Sequence, residues 1–302
     1  MKKEFEIKPG DDGMNIKEYL STQAGLSSRR IKQLLKAKKI EINSKPAYFD
    51  NQVKKGDLIR VELEELGRDS IIPEDLPLDV IFEDEYFLGV HKPAGMLVHP
   101  TQNFPEGTLS NAVKHYFKQR GLDIPVRLIN RIDMDTSGIV LIAKSGEAHS
   151  AFSSLLQQED CGKYYLAIAE GVFEESKGSV DSPIGLDEQN PLRRAVRADG
   201  QPSLTEYEVL EQYSAAALVK LRLMTGRTHQ IRVHMKSLGH TLLGDRLYGG
   251  STDRIARQAL HAYELQFVHP ITKEALCLRA ELPEDMKKLI DDFRKETHTG
   301  VE

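Results

Sequence analysis

The 302-residue chain contains no tryptophan and only two cysteines, Cys161 and Cys277. Two thiols so far apart form neither a disulfide framework nor a zinc-ligand set, and they are expected to be free thiols of a cytoplasmic protein. No apolar run approaches the roughly 20 residues needed to cross a bilayer, so no membrane partner is expected. The opening Met1-Lys2-Lys3-Glu4-Phe5-Glu6 is charged and lacks the apolar stretch of a secretory leader. A phosphate-cradling glycine loop and a His-Glu-x-x-His pair are also missing, which removes the usual marks of nucleotide-driven and zinc-dependent chemistry. Nor is there an excess of positive charge, since the net charge is -5. With 40% hydrophobic and 29% charged residues, the chain belongs to the ordinary soluble globular class and has room for more than one domain.

The charge that is present is unevenly spread. Basic residues concentrate between Arg29 and Lys55, and acidic residues crowd the stretch from Glu62 to Glu85. A local basic face matters more for nucleic-acid contact than the total. Residues 14–63 read as a small separate domain. Ile16, Tyr19 and Leu20 share one face of a first helix. Ser27 or Ser28 can cap a second helix over Arg29 to Lys38, where Ile31, Leu34 and Leu35 recur at helical spacing. The other faces of that helix carry Arg29, Arg30, Lys32, Lys36 and Lys38, either as a plain solvated surface or as an RNA-binding one. Ile40 and Ile42 alternate as a strand into an Asn43-Ser44 turn, and Lys54-Lys55-Gly56-Asp57 forms a turn before a strand at Leu58 to Val61. Residues 64–77, polar and bearing Pro73 and Pro77, read as a linker. From 78 to 292, short β-patterned runs outnumber helices. That pattern predicts an α+β unit built on a mixed, mainly antiparallel sheet with flanking helices.

Two segments carry the chemistry. In Asn130-Arg131-Ile132-Asp133-Met134-Asp135-Thr136-Ser137-Gly138, a carboxylate lies close to a guanidinium at the entrance of an apolar strand. Such a carboxylate is a candidate nucleophile held ionised at neutral pH, although an Asp in a loop more often caps a turn. Downstream, Gly226-Arg227-Thr228-His229-Gln230-Ile231-Arg232-Val233-His234 opens a helix expected from Thr228 to Leu238, with Thr228 as N-cap and Gly239 ending it. Arg227 then stands at the positive end of that helix, a favourable place to meet an anion. His229 and His234, five residues apart, lie about 140° apart around a helix, so no metal site is expected from them.

Together these segments resemble the RluA family of RNA pseudouridine synthases, whose signature is His-Arg-Leu-Asp-x-x-Thr-Ser-Gly. The segments Lys92 to Pro100, Lys163 to Ala167, Gly244 to Gly249, Gln258 to Ala262 and Phe267 to Pro270 fit the same family in order. The resemblance implies the pseudouridine synthase fold, with a bent mixed sheet and a central cleft, and isomerisation of uridine to pseudouridine without metal or other cofactor. It makes Asp133 the catalytic carboxylate, Arg227 its ion-pair partner, and Tyr165 the active-site tyrosine that stacks on uracil and acts as general base. It further implies that Arg131 enters the RNA and helps hold the target nucleotide out of the stack, that Ile231 packs near the base, and that Lys163 supports the tyrosine or contacts phosphate. The N-terminal domain resembles an S4-type RNA-binding domain, which favours RNA contact by its basic helix. That architecture points to large-subunit ribosomal RNA, with tRNA as the alternative; a monomer is expected. Two competing readings are a non-catalytic RNA-binding assembly factor and a glycosidic-bond hydrolase using Asp133 and Asp135. The second is disfavoured because those carboxylates are only two residues apart.

Overall fold

The computed structural model describes residues 2–24, 26, 28–62, 71–155 and 161–299. The chain divides into two compact units, residues 1–70 and 71–302. In the first, strand β1 (Lys2–Glu6) precedes helices α1 (Ile16–Gln23) and α2 (Ser28–Lys36), followed by β2 (Ile40–Ile42), β3 (Lys45–Pro46) and β4 (Leu58–Glu62). The strands form an antiparallel sheet in the order β1-β4-β2-β3. Ile16 and Leu20 of α1 and Ile31 and Leu34 of α2 are fully buried with Ile40, Ile59 and Val61, which is what their helical and alternating spacings require. Asn43 and Ser44 both take positive φ (49° and 63°), the primed two-residue turn that matches strand twist.

Two expectations for this unit change. It starts before residue 14, because β1 pairs with β4 along its whole length. Helix α2 stops at Lys36 rather than Lys38, since Lys38 turns to φ 55°. There the Lys38 N–H donates to Leu35 O and the Lys39 N–H donates to Leu34 O, closing the helix as a Schellman cap. Lys32, Lys36 and Lys38 are exposed, while the side chains of Arg29 and Arg30 fall outside the described set.

The second unit contains β5 (Asp79–Glu83), β6 (Phe87–Lys92), α3 (Leu109–Gln119), β7 (Arg127–Leu128), β8 (Ser137–Ala143), α4 (Gly146–Leu155) and β9 (Gly162–Glu170). It continues with β10 (Lys177–Asp181), β11 (Ile184–Leu186), β12 (Arg194–Val196), β13 (Leu204–Gln212), β14 (Ala216–Leu223) and α5 (Gln230–Ser237), and ends with β15 (Leu260–Val268), β16 (Ala275–Arg279) and α6 (Glu284–Thr299). The ten-stranded sheet runs β10-β13-β14-β9-β15-β8-β6-β5, with β16 on β15 and β7 on β8. The expected mixed, mainly antiparallel sheet with flanking helices is what forms, and the β8–β15 pair supplies the parallel step. Every residue of β8 is buried. Ile139 and Leu141 face α4 through Phe152, whereas Val140 and Ile142 face α3 through Val113 and Phe117. A strand covered on both faces reads as a continuous apolar run, as this one does. Helices α5 and α6 cover the β9–β14 region from opposite sides, through Met235 and through Phe293 respectively.

The linker expected over 64–77 is not free over 71–77; its residues 64–70 lie outside the described set. Asn111 donates to Ile72 O (2.8 Å), and Glu74 accepts from the Gly107 N–H (2.6 Å), so this segment is stitched to the start of α3. The unit also runs past residue 292, with Phe293 of α6 buried. No helix among the described residues is long and apolar enough to cross a membrane.

At the parallel step Gly138 (φ 118°) lies against Ala262, and a Cβ at Gly138 would overlap the Ala262 backbone, so only glycine fits. Beside it, fully buried His261 meets Ser137 Oγ through Nδ1 (2.9 Å) and Ala280 O through Nε2 (3.2 Å). Burial, partly offset by the Ala280 carbonyl, pushes the His261 imidazole down to about 4. A folded-state value below the unfolded value of about 6.5 means that acid favours the unfolded chain. About 3 kcal/mol of stability should therefore be fully present above pH ~6.5 and lost as pH falls to ~4. Denaturant unfolding at stepped pH checks this. His261→Gln should flatten the slope in that window, and an unchanged slope would refute the assignment.

Candidate active site

A cleft of about 910 Å³ opens over the centre of this sheet. Its walls are the loop from Asn130 to Thr136, Lys163 and Tyr165 of β9, the segment from Gly226 to Arg232, and the turn from Gly244 to Leu247. Strand register aligns these parts. Tyr165 pairs with Ala262, and Ala262 pairs with Gly138, so three adjacent strands bring the tyrosine near the row where the Asp133 loop enters β8.

The Asp133 loop is held at both ends. Asn130 accepts the Leu141 N–H (2.8 Å) and donates to Ile139 O (3.0 Å), which ties the loop to β8. On the other side the fully buried Lys92 ammonium donates to the carbonyls of Pro93 (2.7 Å), Met96 (2.8 Å) and Met134 (2.8 Å). Burial pushes Lys92 down to about 7, against the opposing pull of Asp135 and Asp133.

Asp133 accepts from Arg232 Nη1 at 2.8 Å. The rest of the Arg232 fork is spent on Asp245: Nε donates to one carboxylate oxygen (2.7 Å) and Nη2 to the other (2.8 Å). Asp245 is buried and Asp133 is 27% exposed, so the guanidinium joins an inner carboxylate to one that faces the cleft. Tyr248 lies beneath Arg232, its ring centre 4.9 Å from the guanidinium carbon. Its hydroxyl meets His229 Nδ1 at 2.9 Å, and His229 Nε2 returns to within 3.8 Å of Asp133. Burial lowers the His229 pKa, with Asp133 opposing. Burial raises that of Tyr165, and the Asp133 charge adds to the rise.

The RNA pseudouridylate synthase family model matches residues 86–237. The chain belongs to the RNA pseudouridine synthase family, in its RluA branch. The enzyme is 40% identical over 288 residues to "Uncharacterized RNA pseudouridine synthase YhcT" of Bacillus subtilis, covering 95% of each chain. It is 36% identical over 285 residues to "Ribosomal large subunit pseudouridine synthase D" of Nitrosomonas europaea, covering 91% of this chain and 83% of the relative. The solved structure of Human RNA Pseudouridylate Synthase Domain Containing 4 shares the fold, with a TM-score of 0.59 at 23% identity over 72% of this chain and 93% of that one.

Within this enzyme the expected Arg227–Asp133 pair does not form. Arg227 Nε donates to Pro202 O (3.2 Å), and the partner of Asp133 is Arg232. The physical reason lies in where the helix begins. His229 takes the left-handed conformation (φ 58°), so α5 starts at Gln230 instead of Thr228, with His229 rather than Thr228 at the N-cap. The loop before it is fastened by buried Gln230, which accepts from Arg227 N (2.9 Å) and Thr225 Oγ1 (2.8 Å). Arg131 is exposed at the cleft, Lys163 and Tyr165 are half-buried in its wall, and Ile231 is buried beneath it. Burial lowers the Lys163 pKa. His234 turns away from the cleft to Thr205 Oγ1 (2.8 Å) and Ser182 O (2.9 Å). Among the described residues no group of three or more His, Cys, Asp and Glu could hold a metal ion.

Sequence reasoning gave no role to Arg232, Asp245, Tyr248 or Lys92. A signal for Arg232 was present: an arginine between apolar Ile231 and Val233 in a core-facing helix must find a buried partner. The geometry predicts that Arg232→Met lowers turnover at least about a hundredfold, while Arg227→Ala leaves the Asp133 ion pair intact and lowers it far less. Steady-state assays of the two variants decide, and a larger loss in Arg227→Ala would contradict the assignment.

Proposed function

We propose that this enzyme isomerises uridines of large-subunit ribosomal RNA, with Asp133 as nucleophile. The observation that carries this reading is the Asp133–Arg232 pair at the cleft: a partly exposed carboxylate held by a buried cation that Asp245 fixes from behind. The name of the Nitrosomonas europaea relative supports the choice of RNA.

In this mechanism an Asp133 oxygen attacks ribose C1′, and the C1′–N1 bond breaks with its electron pair leaving on uracil. The base turns in the cleft, C5 attacks C1′, and the Asp133 ester bond breaks to restore the carboxylate. Loss of the C5 proton to a base and protonation of N1 complete the isomerisation. Tyr165 is the candidate base. The free enzyme keeps its phenol neutral, through burial first and the Asp133 charge second. The Asp133 carboxylate is restored before the C5 proton leaves, so the phenol acts as base only after passing on its own proton, with N1 as the acceptor that the isomerisation supplies. Ile231 and Lys163 bound the site for the base. Arg131, exposed at the mouth, is suited to occupy the stack from which the nucleotide is drawn.

The N-terminal unit serves as the S4-type RNA-binding domain in this reading. Exposed Lys32, Lys36 and Lys38, together with Arg29 and Arg30, would contact phosphates, which positions the enzyme without reading bases.

Two experiments test the proposal. Cells lacking the protein should lose pseudouridine at large-subunit sites, read by carbodiimide labelling and primer extension. Those sites should return with wild-type protein but not with Asp133→Asn, whose turnover should fall more than about a thousandfold while RNA affinity holds. Loss confined to tRNA would move the substrate; recovery with Asp133→Asn would refute the nucleophile. Secondly, Lys→Glu at positions 32, 36 and 38 should weaken RNA binding and reduce the slope of log affinity against log salt by about 2 to 3. An unchanged slope would leave these lysines as a solvated surface.

A further inference from the structure

The ring that closes on Asp133 contains a residue without an assigned task, His229. Its backbone is held at φ 58°, a conformation uncommon for a residue with a side chain, and such outliers cluster where function requires a fixed direction. Its hydrogen bonds define which nitrogen carries the proton. The Tyr248 hydroxyl oxygen accepts the Arg194 backbone N–H at 2.9 Å. The one other partner of that hydroxyl among the described residues is His229 Nδ1, at 2.9 Å. The hydroxyl proton therefore goes to Nδ1, and the imidazole carries its own proton on Nε2. Burial keeps the ring neutral, with Asp133 opposing.

The Nε2–H points toward Asp133 but stands 3.8 Å from its Oδ2, too far for a hydrogen bond. A fixed, neutral donor is thus left facing the cleft beside the Asp133 carboxylate. The chemistry in question, on the reading that Asp133 attacks C1′, creates negative charge close by. When the C1′–N1 bond breaks, the electron pair stays on uracil and spreads over N1 and the carbonyl oxygens. O2 is the carbonyl oxygen attached to the atom next to N1, and so the one nearer the bond being broken. We propose that His229 donates a hydrogen bond from Nε2 to uracil O2 as the base departs, and that Tyr248 is the positioning residue that sets the required tautomer. No proton is transferred; the donor stabilises charge that exists only after bond breaking begins, so it acts on turnover more than on binding.

The test combines two readouts. In the RNA-free protein, ¹⁵N NMR of the histidine side chains should show His229 as the Nε2–H tautomer, and Tyr248→Phe should abolish that preference. Turnover is read as release of tritium from C5 of uridine in large-subunit ribosomal RNA transcribed in vitro. His229→Gly, which suits the left-handed backbone, should lower kcat about a hundredfold with KM little changed. His229→Gln, which restores an N–H donor at similar reach, should recover most of that loss. An Nδ1–H tautomer in the wild-type protein would overturn the proposal. So would an undiminished kcat in His229→Gly when Asp133→Asn is inactive. Retained turnover in Asp133→Asn would instead bring down the nucleophile reading and the His229 role together.

Discussion

The Arg232 guanidinium is the constraint on which the rest of the site depends. It is buried, and an unpaired cation there would be strongly destabilising. Asp245 accepts from two of the guanidinium's three nitrogens in a bidentate pair, and the third, Nη1, donates to Asp133. The planar fork fixes the angle between these carboxylates in a way that a lysine ammonium could not. A single buried cation thus holds one carboxylate as its counter-ion and offers the remaining positive charge to the carboxylate that meets the substrate. Tyr248 lies under that guanidinium and contacts His229, so the surroundings of Asp133 are set by one cation and its neighbours.

Sheet geometry explains why these groups meet. Parallel pairing of β8 with β15 brings Gly138 against Ala262, and a side chain at Gly138 would force the strands apart. Antiparallel pairing of β15 with β9 then sets Tyr165 across from the same Ala262. Small residues along this row let the nucleophile loop and the tyrosine strand approach one cleft. Lys92, with three carbonyl acceptors, and Asn130, clasped to β8, hold the Asp133 loop from either side. Polar groups buried this way are satisfied locally, which keeps the loop in one arrangement.

Much of this was legible in the sequence because it rests on local rules. The spacing of Ile16, Tyr19 and Leu20 and of Ile31, Leu34 and Leu35 specifies two buried helix faces, and the run from Ile139 to Ala143 reads as a strand covered on both sides. The ordered motifs around Asp133 and Tyr165 point to the family before any coordinate is known. Illegible features depended on tertiary partners or unusual backbone. A helix N-terminus attracts anions, a local argument for Arg227, and the family resemblance pairs that arginine with Asp133. The left-handed turn at His229 and the Asp245 counter-ion 13 residues away decide otherwise. Strand β1 carries charges on both faces, and its pairing with β4 more than 50 residues away is what makes it a strand.

Asp245 acts on the Asp133 carboxylate through the shared Arg232 guanidinium. A double-mutant cycle on kcat with Arg232→Met and Asp245→Asn tests it most directly, with folding of each variant checked by denaturant unfolding. Each single variant should be impaired, and the double variant should be no slower than the worse single one, because removing both partners leaves neither charge buried alone. Losses that multiply in the double variant would contradict the account and require Asp245 to act on the reaction independently of Arg232.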